Sequence, residues 1–208
     1  MILLNVFINI PKENKISKIK LGFKKMTENL TLKPGILLHV CCGNCSLYPY
    51  FFLREDFDVT FFYYNPNIYP EKEYARRLDD VKTVSKINSI PLIIGKYEIE
   101  KWLDLTSNFK DEPEGGDRCT LCFKMRLEKT AETAKKLGFG FFGTTLTVSP
   151  HKDTKIINST GLELGFLKKI NFYQADFKKK DGFKKTLESS KNLNLYRQDY
   201  CGCVYSMR

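Results

Sequence analysis

Ile36-Leu-Leu-His-Val-Cys-Cys-Gly-Asn-Cys-Ser46 decides the fold. Its first five residues form a short apolar run suited to a strand buried on both faces. The cysteines and glycine after it read as a tight loop, and Ser46 is placed to cap a following helix. The same order of short apolar run, polar loop and helix returns down the chain. Asp58-Val-Thr-Phe-Phe-Tyr-Tyr64 is an aromatic-rich strand stopped by Asn65-Pro-Asn67. Pro70 to Asn88 reads as a helix with proline at its start and Glu71 and Glu73 in its first turn. A strand over Pro91–Ile94 precedes a helix over Tyr97–Leu105, and the polar loop Lys110–Asp117 precedes a helix from Arg118 to Leu137, closed by Gly138. A fourth strand over Gly140–Val148 leads through Ser149-Pro-His-Lys-Asp153 into a helix to about Leu164, and Phe172–Ala175 is a fifth strand. One more helix precedes the tail Asp199-Tyr-Cys-Gly-Cys-Val-Tyr205. Strands that alternate with helices predict an α/β fold, a doubly wound parallel sheet covered on both faces, with ligands at the carboxyl ends of its strands. Cys41, Cys42 and Cys45 follow the first strand, Asn65 to Asn67 the second, and Ser149 to His151 the fourth.

The chain has 208 residues, 42% of them hydrophobic and 28% charged, which excludes a disordered protein and permits a core without disulfide staples. Residues 1–35 lack sustained periodicity and end in the turn Lys33-Pro-Gly35, so they read as a basic N-terminal extension. Met26 within it is an alternative start, and 36–208 reads as one α/β catalytic domain. The apolar run at the beginning is broken by two Asn and precedes its basic residues, unlike a signal peptide. No uninterrupted apolar stretch reaches the roughly 18 residues that span a bilayer. A cytoplasmic protein is therefore expected, in which a lone structural disulfide would be reduced. The net charge of +10 is concentrated: residues 1–35 hold seven Lys against two Glu, and residues 165–191 hold eight Lys against three acids. Such segments suit a polyanionic partner, although a lysine-rich face is as often simply solvated.

The seven cysteines fall into three groups: Cys41-Cys42 with Cys45, Cys119-x-x-Cys122, and Cys201-x-Cys203. A Cys-x-x-Cys at a helix start puts two thiols at the positive end of the helix, a pattern shared by zinc sites, dithiol oxidoreductases and iron–sulfur proteins. Structural zinc is commonly drawn from two such knuckles, and only one is present. Adjacent Cys41 and Cys42 more easily reach two different irons of a cluster than one zinc. Cys201 and Cys203 suit either a strained, easily reduced disulfide or the ligation of a second iron, and the sequence leaves both open. Neither a Gly-x-Gly-x-x-Gly nor a Walker lysine loop occurs, and the first strand is not followed by the Ser-Gly-Gly-x-Asp-Ser loop of adenylating enzymes.

Six motifs together resemble the QueH type of epoxyqueuosine reductase: His39-Val-Cys-Cys-Gly-Asn-Cys-Ser46, Tyr64-Asn-Pro-Asn-Ile68, Pro70-Glu-Lys-Glu-Tyr-Ala-Arg76, Arg118-Cys-Thr-Leu-Cys-Phe-Lys-Met-Arg126, Thr144-Thr-Leu-Thr-Val-Ser-Pro150 and Leu195-Tyr-Arg-Gln-Asp-Tyr-Cys-Gly-Cys203. Asn44 stands where that family often has proline, and residues 1–35 lie outside the pattern. The resemblance implies an adenine nucleotide α-hydrolase-like (HUP-type) three-layer sandwich with a cysteine-containing tail, and reduction of the epoxide of epoxyqueuosine at the wobble position of tRNA. It further implies a 4Fe-4S cluster on Cys41, Cys42, Cys119 and Cys122, a redox-active pair or second iron site at Cys201 and Cys203, and Cys45 as a possible second-iron ligand. An additional mononuclear iron, an external electron donor and tRNA are the expected cofactor and partners.

Asn65, Asn67, Tyr74, Arg76, His151 and Arg197 are the candidate substrate-binding residues. His151, Tyr64 and Tyr205 are candidate proton donors, and Arg126 joins the arginines able to pair with phosphate or the modified base. Two other classes fit parts of the pattern: a zinc-stabilised RNA-binding module, and a cluster-dependent tRNA-thiolating enzyme, the latter opposed by the missing phosphate loop.

Overall fold

The strand quoted first above occupies the middle of the sheet. The computed structural model describes residues 32–207. Among them five parallel strands, β1 (Gly35–His39), β2 (Asp58–Tyr63), β3 (Leu92–Ile94), β4 (Phe141–Thr144) and β5 (Asn171–Phe172), lie in the order β3-β2-β1-β4-β5. The connecting helices are α1 (Gly43–Leu53), α2 (Glu71–Ile87), α3 (Ile99–Thr106), α4 (Asp117–Lys136), α5 (Thr154–Lys168) and α6 (Gly182–Asn192). β1 pairs with β2 from Gly35↔Asp58 to His39↔Phe62 and with β4 from Ile36↔Phe141 to His39↔Thr144.

The period of two in each strand sorts the side chains into two cores. Ile36, Leu38 and Val40 join Val59, Phe61 and Tyr63 on the face covered by α1, α2 and α6. Leu37, Phe62, Tyr64 and Phe142 join Leu127, Ala131, Ile157 and Leu164 on the face covered by α3, α4 and α5. Both faces are dry, which is why β1 reads as a continuous apolar run. The chain crosses to opposite sides of β1 after β3, so the carboxyl ends of β1 and β4 flank the switch point where such sheets open a crevice.

At two boundaries the departure from expectation has a local cause, and at a third the expected cap is present. α1 begins at Gly43 with Cys42 as its N-cap, because Ser46 Oγ turns back to the Gly43 carbonyl (2.7 Å) inside the first turn instead of capping it. β4 ends at Thr144, whose Oγ1 accepts the Leu146 amide (3.2 Å) and starts the 3-10 turn Leu146–Val148 where more strand was expected. α5 is capped by Asp153, which accepts the amides of Lys155 (2.6 Å) and Ile156 (3.2 Å). α2 starts as expected, with Pro70 before it and Glu71 and Glu73 in its first turn. The basic extension expected over residues 1–35, Met26 included, lies outside the described residues except for 32–35. No helix of the described residues is long and apolar enough to cross a membrane.

Candidate active site

The crevice at the switch point is where the first cysteine group stands. Val40 continues the β1 ladder to the Phe62 carbonyl (2.9 Å), and the chain then turns into α1. Gly43 allows that turn to lie against α2, since a Cβ there would stand 2.9 Å from Asp80 Cβ. The sulfurs of Cys41, Cys42 and Cys45 consequently lie within 4.8 Å of one another, a group able to hold a metal ion. Hydrogen bonds from Cys42 and Cys45 hold the Cys41 thiol well below its ordinary range, helped by the charges of Arg126 and Lys152. The same sharing pushes Cys42 up to about 12 and Cys45 well above the usual thiol value.

The C-terminal tail carries the second group to the same crevice. Arg77 of α2 is buried, paired through Nε with Glu73 Oε1 (2.6 Å), and its Nη1 donates to the Cys201 carbonyl (2.9 Å). Tyr69 N donates to the Gly202 carbonyl (2.7 Å), and Gly202 adopts φ +104°, with the Arg77 guanidinium 2.8 Å from where a Cβ would be. Asn44 Nδ2 donates to the Tyr196 carbonyl (2.7 Å), and Gln198 Nε2 lies 3.0 Å from Cys42 Sγ. A hydrogen bond from Cys203 and the nearby Lys152, Arg126 and Arg77 charges hold Cys201 well below the ordinary thiol range, whereas Cys203 is pushed up by that bond and by burial. Cys119 and Cys122 occupy the first turns of α4, where burial raises both thiols and the Cys201 charge adds to it. All seven cysteines are free thiols.

Two cations complete the site. Arg126 is buried, donating to Asn65 Oδ1 (2.7 Å) and His39 Nε2 (3.3 Å), with Cys122 Sγ at 3.9 Å. Lys152 Nζ lies 4.0 Å from Cys201 Sγ, and that thiolate, with the Cys41 thiolate, pushes the ammonium above its usual range. Among the described residues neither cation has a carboxylate at ion-pair distance. A buried cation without a carboxylate is costly unless an anion compensates it. Thiolates at a metal centre are such anions.

These groups surround a cavity of about 400 Å³, a volume ordinary for a small-molecule site. Cys41, Cys45, Cys201, Arg126 and Lys152 line it. So do Asn44, Asn67, Thr186 and Gln198, each with a buried side-chain oxygen that has no protein partner. Buried oxygens without a protein partner, on residues that line a cavity, mark its wall as polar.

Of the expected substrate-binding residues, Asn67, His151 and Arg197 line this cavity. Asn65 stands behind it, joining the Val40 carbonyl (2.9 Å) to Arg126. Tyr74 packs between Tyr63 and Tyr97, and Arg76 lies over the Tyr196 ring at 3.4 Å, both outside the lining. Tyr64 donates to Glu98 (2.8 Å) and Tyr205 packs on Trp102, so neither faces the cavity. Lys152, Thr186 and Gln198 escaped sequence reasoning. The signal for Lys152 was its place beside His151 after β4, hidden among 27 lysines.

The sequence profile of the epoxyqueuosine reductase QueH family matches residues 36–208. The chain belongs to that family. It is an oxidoreductase of the QueH type, 35% identical to the epoxyqueuosine reductase QueH of Streptococcus pyogenes serotype M1, over 98% of this chain and 83% of that one. The QueH of Thermotoga maritima is 38% identical over 83% of this chain and 90% of the relative. Among solved structures, the U34-tRNA thiolase NcsA from Methanococcus maripaludis with its 4Fe-4S cluster superposes with a TM-score of 0.51 at 14% identity, covering 93% of this chain and 67% of the other. That likeness is one of fold, the three-layer doubly wound sandwich of this QueH-family chain.

Proposed function

We propose that this chain reduces the epoxide of epoxyqueuosine in tRNA to the alkene of queuosine, and that the thiol-lined cavity at the β1–β4 switch point is where it does so. The reaction breaks both C–O bonds of the epoxide, forms a C=C bond, consumes two electrons and two protons, and releases water. The observation that carries the reading is the convergence in one cavity of thiols from two groups with Arg126 and Lys152, neither of them ion-paired to a carboxylate. It is joined to membership of the QueH family.

The residues present fit an anionic, sulfur-ligated metal centre: soft thiol donors, two of the seven already held low, beside cations that have no carboxylate partner. Cys41, Cys42, Cys119 and Cys122 would hold a 4Fe-4S cluster, with Cys201 and Cys203 as the redox pair or, with Cys45, the ligands of an additional mononuclear iron. When bound, such a centre supplies electrons one at a time from an external donor. The protein's own contributions are electrostatic and geometric. Lys152 holds protons at Nζ inside the cavity, where an ammonium stabilises charge developing on a departing epoxide oxygen. Asn44, Asn67, Thr186 and Gln198 give a polar wall to the cavity that would receive the modified base. The tail, strapped by Arg77 and Asn44, supplies one wall of the cavity through Arg197 to Cys201. A reducing cytoplasm, which keeps seven thiols available, is the setting this chemistry requires.

The test is iron, acid-labile sulfide and zinc per chain on anaerobically purified full-length protein, with mass spectrometry of the wobble nucleoside after incubation with epoxyqueuosine-containing tRNA and a chemical reductant. About four irons and four sulfides, together with loss of one oxygen from the nucleoside, are expected. Zinc alone with no sulfide after reconstitution would replace this reading with the RNA-binding module, and ATP turnover would favour a thiolating enzyme.

A further inference from the structure

The lysines of the basic segment 165–191 have no part in the chemistry above, and the fold puts that segment beside the cavity. α6 faces the cavity with Phe183, Thr186 and Leu187, spaced as one side of a helix. Its other side carries Lys184, Lys185 and Lys191, all exposed, and Lys179 and Lys180 stand exposed just before it. The neighbouring lysines show what a structural role looks like here. Lys168 pairs with Glu128 (2.9 Å) and Glu132 (2.7 Å). Lys178 donates to the Lys152 carbonyl (3.2 Å) and to Thr154 Oγ1, fixing the run against the loop that bears the cavity's ammonium. Lys179, Lys180, Lys184, Lys185 and Lys191 enter no ion pair among the described residues, and Lys185 alone of them lies over a ring, that of Tyr48 at 5.5 Å.

We propose that Lys179, Lys180, Lys184 and Lys185 form the phosphate-binding surface on which the anticodon arm of tRNA docks, so that the wobble nucleotide enters the cavity beneath α6. The proposal rests on the function proposed above and adds the site of contact. Lysines without carboxylate partners, on the outer side of a helix whose inner side lines the reaction cavity, place a row of point charges where a strand leading into that cavity must pass. Lysine binds phosphate without reading sequence. A nucleotide in a single-stranded loop is delivered without breaking a base pair. A membrane surface is a poorer occupant, since none of the exposed large apolar side chains among the described residues belongs to α6.

The experiment is equilibrium binding of an unmodified tRNA transcript to full-length protein from roughly 50 to 200 mM salt. It compares wild type, the triple variant Lys179→Ala/Lys180→Ala/Lys184→Ala, and a control, Lys101→Ala/Lys135→Ala/Lys136→Ala. The control removes the same charge from α3 and α4 on the opposite face of the sheet. The first triple variant is expected to bind at least about tenfold more weakly and to lower the salt slope by roughly 2 to 3, one released counterion for nearly every phosphate contact. The control is expected to leave the slope unchanged. An unchanged slope in the first variant, or an equal fall in the control, overturns the assignment. Melting curves matching wild type for both variants establish that the fold is intact. Binding is read without turnover, so absence of epoxide reduction by the wild type would count against the proposed function and leave the docking result to stand by itself.

Discussion

His39 records how the site is charged. It lies on β1, fully buried, with Nδ1 2.9 Å from Thr144 Oγ1 and Nε2 between the Tyr64 carbonyl (3.1 Å) and Arg126 Nε (3.3 Å). Burial, with the Arg126 charge next to it, lowers its pKa to about 3. An unfolded histidine protonates near 6.5, so below that pH the unfolded chain takes up a proton that the folded chain refuses. Stability from the neutral ring is therefore complete above about 6.5 and falls as pH drops towards about 3, by on the order of 1 kcal/mol per pH unit. In metal-free protein His39→Gln is expected to flatten the dependence of the urea midpoint on pH between about 6 and about 4.5. Parallel wild-type and variant curves there would show that the ring is not held neutral. The sequence shows His39 only as one polar residue in an apolar run. What neutralises it is burial and the Arg126 charge, and local periodicity does not connect Arg126 to β1.

At the scale of the element, strands and helices were legible because each is a short local pattern, and the errors fell where a side chain competes with the backbone, as at Ser46 and Thr144. The grouping of the thiols was not legible. Spacing separates Cys45 from Cys41 by one helical turn, but the meeting of Cys201 with Lys152 depends on Arg77, Tyr69 and Gln198 gripping a tail with little regular structure. Two glycines separate these cases. A Cβ at Gly202 would be strained at φ +104° and would meet Arg77, so Gly202→Ala is expected to release the tail. In metal-free protein, reaction of Cys201 and Cys203 with a thiol reagent should quicken at least about fivefold, for a strain of 1 kcal/mol or more, while the denaturant midpoint holds. Gly43→Ala instead presses α1 on the Asp80 backbone at 3.0 Å, and should cost roughly 1–3 kcal/mol of global stability. The idea fails if the first variant labels at the wild-type rate or the second melts with it.

Across the whole molecule the thiols come from three places far apart in the chain: the β1–α1 turn, the start of α4 and the tail. The fold brings Cys201 to the cavity lined by Cys41 and Cys45, so a centre bound there would stabilise the native state and not the unfolded one. The stabilisation must be uneven. β1, β2 and β4 are held by two dry cores whatever is bound, whereas residues 195–207 depend on a few side-chain bonds and on thiols that would gain ligands. Hydrogen exchange comparing anaerobically reconstituted protein with chelator-stripped protein should therefore show protection lost at 195–207 and at the start of α4, with the central strands unchanged and the melting temperature lowered. This pattern follows from a centre that ties the tail to the body. Equal protection in both forms would mean that the tail is held by Arg77 and its neighbours alone, and that Cys201 and Cys203 act as a thiol pair without touching the metal.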